Sequence, residues 1–124
     1  MTRIRIALLA ALAVALVAAT VGFAAGAKKL SGTVGPGFTI SLKSSTGKLV
    51  TKTTKLAPGK YTFAVKDLSS IHNFTVKGPG VTNKVITATG FTGSKTATLT
   101  LKKGTYTFVC TIHPTVMTKT FKVG

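Results

Sequence analysis

Two stretches of the chain repeat one pattern. Leu56-Ala57-Pro58-Gly59-Lys60-Tyr61-Thr62-Phe63-Ala64-Val65 is echoed 45 residues later by Leu101-Lys102-Lys103-Gly104-Thr105-Tyr106-Thr107-Phe108-Val109-Cys110. Each copy opens on a turn, because Pro presets φ and Gly accepts positive φ, and then alternates with the two-residue period of a strand. Two copies are too few for a solenoid, so the echo is one turn-then-strand unit used twice. The period places Tyr61, Phe63 and Val65 on one face, and Tyr106, Phe108 and Cys110 on the corresponding face of the second copy. The only cysteine of the chain therefore fills the inward slot that Val65 fills in the first copy.

Beyond the first 27 residues no segment keeps a helical period. Thr, Val and Phe are frequent, and Gly or Pro interrupts the chain at short intervals, the pattern of an all-β sandwich or barrel. Strands are predicted at Phe38–Leu42, Lys60–Lys66, His72–Val76, Lys95–Leu101, Thr105–Thr111 and Thr118–Val123, with shorter ones at Lys48–Thr53 and Val81–Ile86. Pro58-Gly59, Gly78-Pro79-Gly80 and Lys103-Gly104 mark turns. No linker, low-complexity stretch or second domain interrupts residues 28–124. In the strand after Ser69-Ser70, His72 shares a face with Phe74 and Val76, so an imidazole is directed toward the core. Burying it there costs free energy unless something bonds it, and a metal ion is one such partner.

The first 27 residues have the composition of an address. Arg3 and Arg5 precede an uncharged run of 22 residues, Ile6 to Ala27, and Ala25-Gly26-Ala27 offers a small-residue cleavage site. The run also matches the roughly 20 residues that a bilayer-spanning helix needs, so an uncleaved anchor is the other reading. Either places residues 28–124 outside the cytoplasm: periplasmic, extracellular or at the cell surface. One cysteine in an exported chain has no disulfide partner, which points to an intermolecular bridge or to a reactive, liganded thiol. Without the two arginines the net charge of +16 becomes +14, carried by 15 lysines against the single acid Asp67. The lysines are spread out with no arginine-rich or aromatic-interleaved stretch, which argues against nucleic-acid binding. Attraction to acidic proteins, anionic lipid or an acidic wall polymer is the expected consequence.

Cys110 begins the segment Cys110-Thr111-Ile112-His113-Pro114-Thr115-Val116-Met117. With His72, the one other histidine, this supplies a thiolate, two imidazoles and a thioether. Each has an ordinary reading: a small buried hydrophobe for Cys110, core filler for Met117, a loop residue for His113, a core histidine satisfied by a backbone carbonyl for His72. Their conjunction is the informative feature, since the chain holds one Cys, two His and, after the initiator, one Met. Soft sulfur ligands hold Cu(I) and imidazoles suit both copper oxidation states, so the four together suit one mononuclear copper ion that changes charge with little rearrangement. Zinc accepts Cys and His as well, but a methionine argues against a structural zinc site.

These residues resemble the cupredoxins, small type I blue copper proteins of the plastocyanin and amicyanin kind. The His72-Asn73 dipeptide, the Tyr106-Thr107-Phe108-Val109-Cys110 strand, His113 and Met117 stand in the family's order, over roughly Pro58 to the C-terminus. The resemblance implies a Greek-key β-sandwich with one copper near one end. In it Cys110, His72 and His113 would be equatorial ligands and Met117 axial, while Asn73 would pin the ligand loop and tune the thiolate. One departure is visible: three residues separate His113 from Met117, where amicyanin-like loops have two and plastocyanin-like loops have four.

The function expected is therefore a monomeric one-electron carrier, with no enzymatic activity, that meets an acidic redox partner. His113 would be the electron's exit, and Pro36, Phe74 and Pro114 are candidates for an apolar docking patch. A copper store or delivery protein using the same ligands is the alternative, and a structural β domain held to the wall by its lysines is a third reading. A shell of lysines would steer the partner.

Overall fold

The computed structural model describes residues 26–124. The expected signal or anchor segment, residues 1–27, lies outside the described residues except for its last two. Nine strands follow: β1 (Lys28–Val34), β2 (Ile40–Ser44), β3 (Lys55–Leu56), β4 (Gly59–Asp67), β5 (Phe74–Gly78), β6 (Val81–Thr87), β7 (Gly93–Leu101), β8 (Gly104–Val109) and β9 (Thr118–Val123). They form two facing sheets, ordered β2-β1-β4-β7 and β3-β9-β8-β5-β6. The domain is thus an all-β two-sheet sandwich. β1 runs parallel to β4, and β3 to β9, while the remaining pairs are antiparallel.

The two echoed strands, β4 and β8, lie in opposite sheets and turn their matched faces toward each other. Tyr61, Phe63 and Val65 from one, and Tyr106 and Phe108 from the other, are buried. An aromatic row lines the inner face of the five-stranded sheet: Phe74 stacks on Phe108 with centroids 5.8 Å apart, and Tyr106 on Phe121 at 5.6 Å. Offset aromatic pairs at such distances add about 0.5–1.5 kcal/mol beyond the area they bury. Two glycines make the row possible. A Cβ on Gly32 of β1 would stand 2.9 Å from the Phe74 ring, and one on Gly78 would stand 2.3 Å from the Tyr106 ring.

Several sequence-based expectations change in detail. The stretch Lys48–Thr53 is not a strand; it is a loop whose Leu49 makes a single bridge to Lys43, while Val50 alone turns into the core. Val81–Thr87 is a full strand. β1 had no counterpart among the predicted strands, because its inward positions are Leu30, Gly32 and Val34 and the central one offers no apolar side chain. His72 and Asn73 precede β5 rather than opening it.

The strands give the sandwich two unlike ends. At one end lie residues 35–39, 68–73, 88–92 and 110–117, tied together by Leu68 N–H to the Val34 carbonyl (2.9 Å), Gly90 N–H to the Ser70 carbonyl (2.6 Å) and side-chain bonds from Asn73. The other end holds the start of β1, the β7–β8 turn at Lys102-Lys103, and the start of β4 beside the end of β7, where Gly59 pairs with Leu101.

Candidate metal centre

Cys110 is the first residue beyond β8, so the strand's inward face delivers its side chain into the core, where it is fully buried. The chain then turns back on itself. His113 N–H donates to the Cys110 carbonyl (3.1 Å), Met117 N–H to the His113 carbonyl (3.0 Å), and Cys110 N–H to the Met117 carbonyl (2.9 Å), closing the loop at its base. The helical-type turn from His113 to Met117 absorbs the three intervening residues. Met117 is thereby carried back beside Cys110, where β9 begins, and its side chain is fully buried.

His72 enters from the loop between β4 and β5 and is also fully buried. Its Nδ1 faces His113 Nδ1 at 3.1 Å, and each of these nitrogens stands 3.8 Å from Cys110 Sγ. The three donor atoms form the one such group among the described residues. His72 is not a core histidine satisfied by a backbone carbonyl: Nδ1 meets only His113 and Cys110, and Nε2 is buried with no hydrogen-bond partner. A triangle with edges of 3.1, 3.8 and 3.8 Å fits a single ion, because metal–nitrogen bonds of about 2.0–2.1 Å and metal–thiolate bonds of about 2.3 Å span each edge with a bend at the ion. The donor set thus fits a metal on the structure's own distances.

Asn73 joins the two ligand-bearing segments. Its backbone N–H points at Cys110 Sγ (3.4 Å), a donor aimed at the sulfur from the segment that carries His72. Its Oδ1 accepts from Thr111 N–H (3.1 Å) and from Thr75 Oγ1 (3.0 Å), and its Nδ2 donates to Thr111 Oγ1 (2.8 Å) and Thr89 Oγ1 (3.2 Å). One amide therefore ties the residue after Cys110, Thr75 of β5 and the 88–92 loop to the segment that carries His72. Buried amides with all their partners in place orient metal ligands because moving any one breaks several bonds.

His113 is the half-buried member of the set and the one that reaches solvent. Phe38 stands edge-on to both imidazoles, 4.9 Å from the His113 centroid and 5.6 Å from that of His72, while remaining 57% exposed. This residue was predicted as the start of a strand and was not singled out for the site. Its backbone lies in a loop, and only the turn at residues 35–37 brings it over the histidines. The expected apolar patch of Pro36, Phe74 and Pro114 is corrected here, since Phe74 is fully buried against Phe108 and Gly32. Phe38, Ile112 and Val116 supply the exposed apolar surface at this end instead. The lysine shell leaves this end bare: the four loops around the site, residues 35–39, 68–73, 88–92 and 110–117, contain no lysine.

A two-sheet sandwich with a His, Cys, His and Met set at one end is the cupredoxin fold. Reduced rusticyanin superposes with a TM-score of 0.54 over 82% of this chain and 82% of that one at 22% identity, and rusticyanin from Thiobacillus ferrooxidans with 0.52 over 77% and 76% at 23%. Auracyanin A, a blue copper protein from the green thermophilic photosynthetic bacterium Chloroflexus aurantiacus, gives 0.54 over 80% of this chain and all of that one at 17% identity. No protein-family model and no curated protein sequence matches the chain.

Proposed function

We propose that residues 28–124 form a type I copper domain that acts as a one-electron carrier, with His72, Cys110, His113 and Met117 as the ligands and Asn73 holding them in place. The observation that carries this reading is the buried triangle of Cys110 Sγ and two histidine Nδ1 atoms, with Met117 returned beside it by the loop. Copper, when bound, supplies a Cu(II)/Cu(I) couple. The residues supply rigidity: three of the four ligands are fully buried, and the Asn73 amide and the Cys110–Met117 backbone bond restrain them, so little needs to move when the charge changes. His113 offers the ligand edge nearest to solvent and hence the shortest route to a docked redox partner. Copper storage or delivery would require ready exchange of the metal, and the burial of His72, Cys110 and Met117 favours retention instead.

Residues 1–27 act in this reading as a signal peptide or as a retained anchor, placing the copper domain outside the cytoplasm. Arg3 and Arg5 ahead of the uncharged run Ile6 to Ala27 support that location. The test is direct. Cu(II) added to the purified protein is expected to give an intense thiolate-to-copper absorption near about 600 nm with one copper per chain. Cys110→Ala is expected to abolish it. A folded protein that takes up copper without the band, or that keeps the band in the variant, refutes the assignment.

A further inference from the structure

The two ends of the sandwich differ in charge as sharply as in chemistry. Residues 35–39, 68–73, 88–92 and 110–117 contain no Lys, Arg, Asp or Glu, although the Lys95 ammonium reaches over the Phe91 ring at 4.3 Å. At the opposite end Lys28, Lys29, Lys55, Lys60, Lys102 and Lys103 are all exposed. Register brings them together: Lys28 pairs with Tyr61 next to Lys60, Gly59 pairs with Leu101 next to Lys102, and β3 lies along the last residues of β9. Around Gly124 the side chains of Lys103 and Lys55 converge, each within 4 Å of where a Cβ would stand. No acidic side chain offsets them, since the single acid, Asp67, is buried at the far end of β4 with Ser69 N–H donating to its Oδ1.

The uncharged run Ile6 to Ala27 joins the fold at this same end. β1 begins at Lys28, immediately after the run, so no linker separates the two. A cluster of basic residues directly beside a membrane-length apolar segment is the arrangement that adheres to anionic lipid, each lysine strengthening the attraction roughly fivefold near the surface. We infer that the lysine end is a docking face for an anionic bilayer, seating the domain upright with the His113 end pointing away from the membrane. The docking rests on the charge pattern and the apolar run beside it, whereas its consequence, a ligand edge presented outward to a partner, rests on the copper assignment.

Lysine acetylation read residue by residue in a mass spectrometer tests this on the full chain, bound to vesicles of phosphatidylcholine alone or mixed with phosphatidylglycerol. The six lysines are expected to react several-fold more slowly on the mixed vesicles than on the neutral ones, with Lys66, Lys84 and Lys95 unchanged, and the difference should vanish at high salt. The triple variant Lys55→Gln, Lys102→Gln, Lys103→Gln alters only exposed side chains and should remove the difference at Lys60. Equal rates on the two vesicle types, or slowing spread over all lysines, overturn the proposal. Protection by soluble polyphosphate but not by mixed vesicles overturns it in favour of a polyanion partner. Copper loading does not enter the measurement, so a failed docking test leaves the 600 nm band intact, and a missing band leaves the labelling pattern intact.

Discussion

Phe38 is the residue whose position most changes what the site can do. Its ring covers the edges of both histidines while more than half of it remains in water, so it contributes little burial energy and much exclusion of solvent. An apolar cover lowers the local dielectric and disfavours the more highly charged Cu(II) state, which raises the reduction potential. Phe38→Ala is therefore expected to leave unfolding free energy within about 1 kcal/mol of the parent. It should lower the potential in voltammetry and speed the loss of copper to a chelator. An unchanged potential in a folded, blue variant would show that the ring is only surface decoration. Asn73 works in the opposite sense, through bonds rather than cover. Its dipeptide with His72 was legible in the sequence, but the reach of its amide to Thr111 and Thr89 was not, because those partners lie 38 and 16 residues away and meet it only after the sheets pack.

At the scale of strands, legibility followed the strength of alternation. β4, β8 and β9 alternate aromatic or β-branched residues along most of their buried faces (Tyr61, Phe63 and Val65; Tyr106 and Phe108; Phe121 and Val123), and their extents were close to those expected. Parity in β8 was enough to turn Cys110 inward, although the residue itself lies one step past the strand. β1 was illegible because Gly32 occupies an inward slot, and the reason for that glycine is the Phe74 ring of the opposite sheet. The ligand loop was half legible. Its residue types named the chemistry, whereas the closure that returns Met117 depends on backbone bonds no side chain announces. Gly78 obeys the same logic as Gly32 and gives a sharper test. Its missing Cβ lets Tyr106 lie flat, with its hydroxyl donating to the Pro79 carbonyl (2.6 Å) and accepting from Lys102 N–H (2.9 Å). Gly78→Ala is expected to destabilise the domain by about 1–3 kcal/mol in urea unfolding through overpacking, while the copper band at the other end keeps its position. A shift of the band with this substitution would mean that the two ends are mechanically coupled.

Over the whole molecule, the uneven charge carries a cost that the fold must tolerate. Fifteen lysines, offset by one buried acid, repel one another in the folded state more than in the expanded chain, and six of them share one end. The repulsion acts through solvent, so salt should relieve it: the Debye length falls from about 30 Å at 0.01 M to about 8 Å at 0.15 M. The melting temperature at pH 7 is accordingly expected to rise with sodium chloride over that range, by about 4–8 °C for each kcal/mol of repulsion screened in a domain of this size. Lys103→Gln, within the cluster, should reproduce part of that rise at low salt and flatten the response. Lys84→Gln, on β6 away from the cluster, should do so less. A chain selected only for stability would spread or neutralise such a cluster. Its persistence beside the start of β1, with the four loops around His113 lacking Lys, Arg, Asp and Glu, is what an oriented molecule requires: adhesion concentrated at one end and a largely apolar approach to the other. If differential calorimetry finds the two lysine variants equal, the cluster is electrostatically unremarkable and the polarity of the sandwich is a matter of sequence alone.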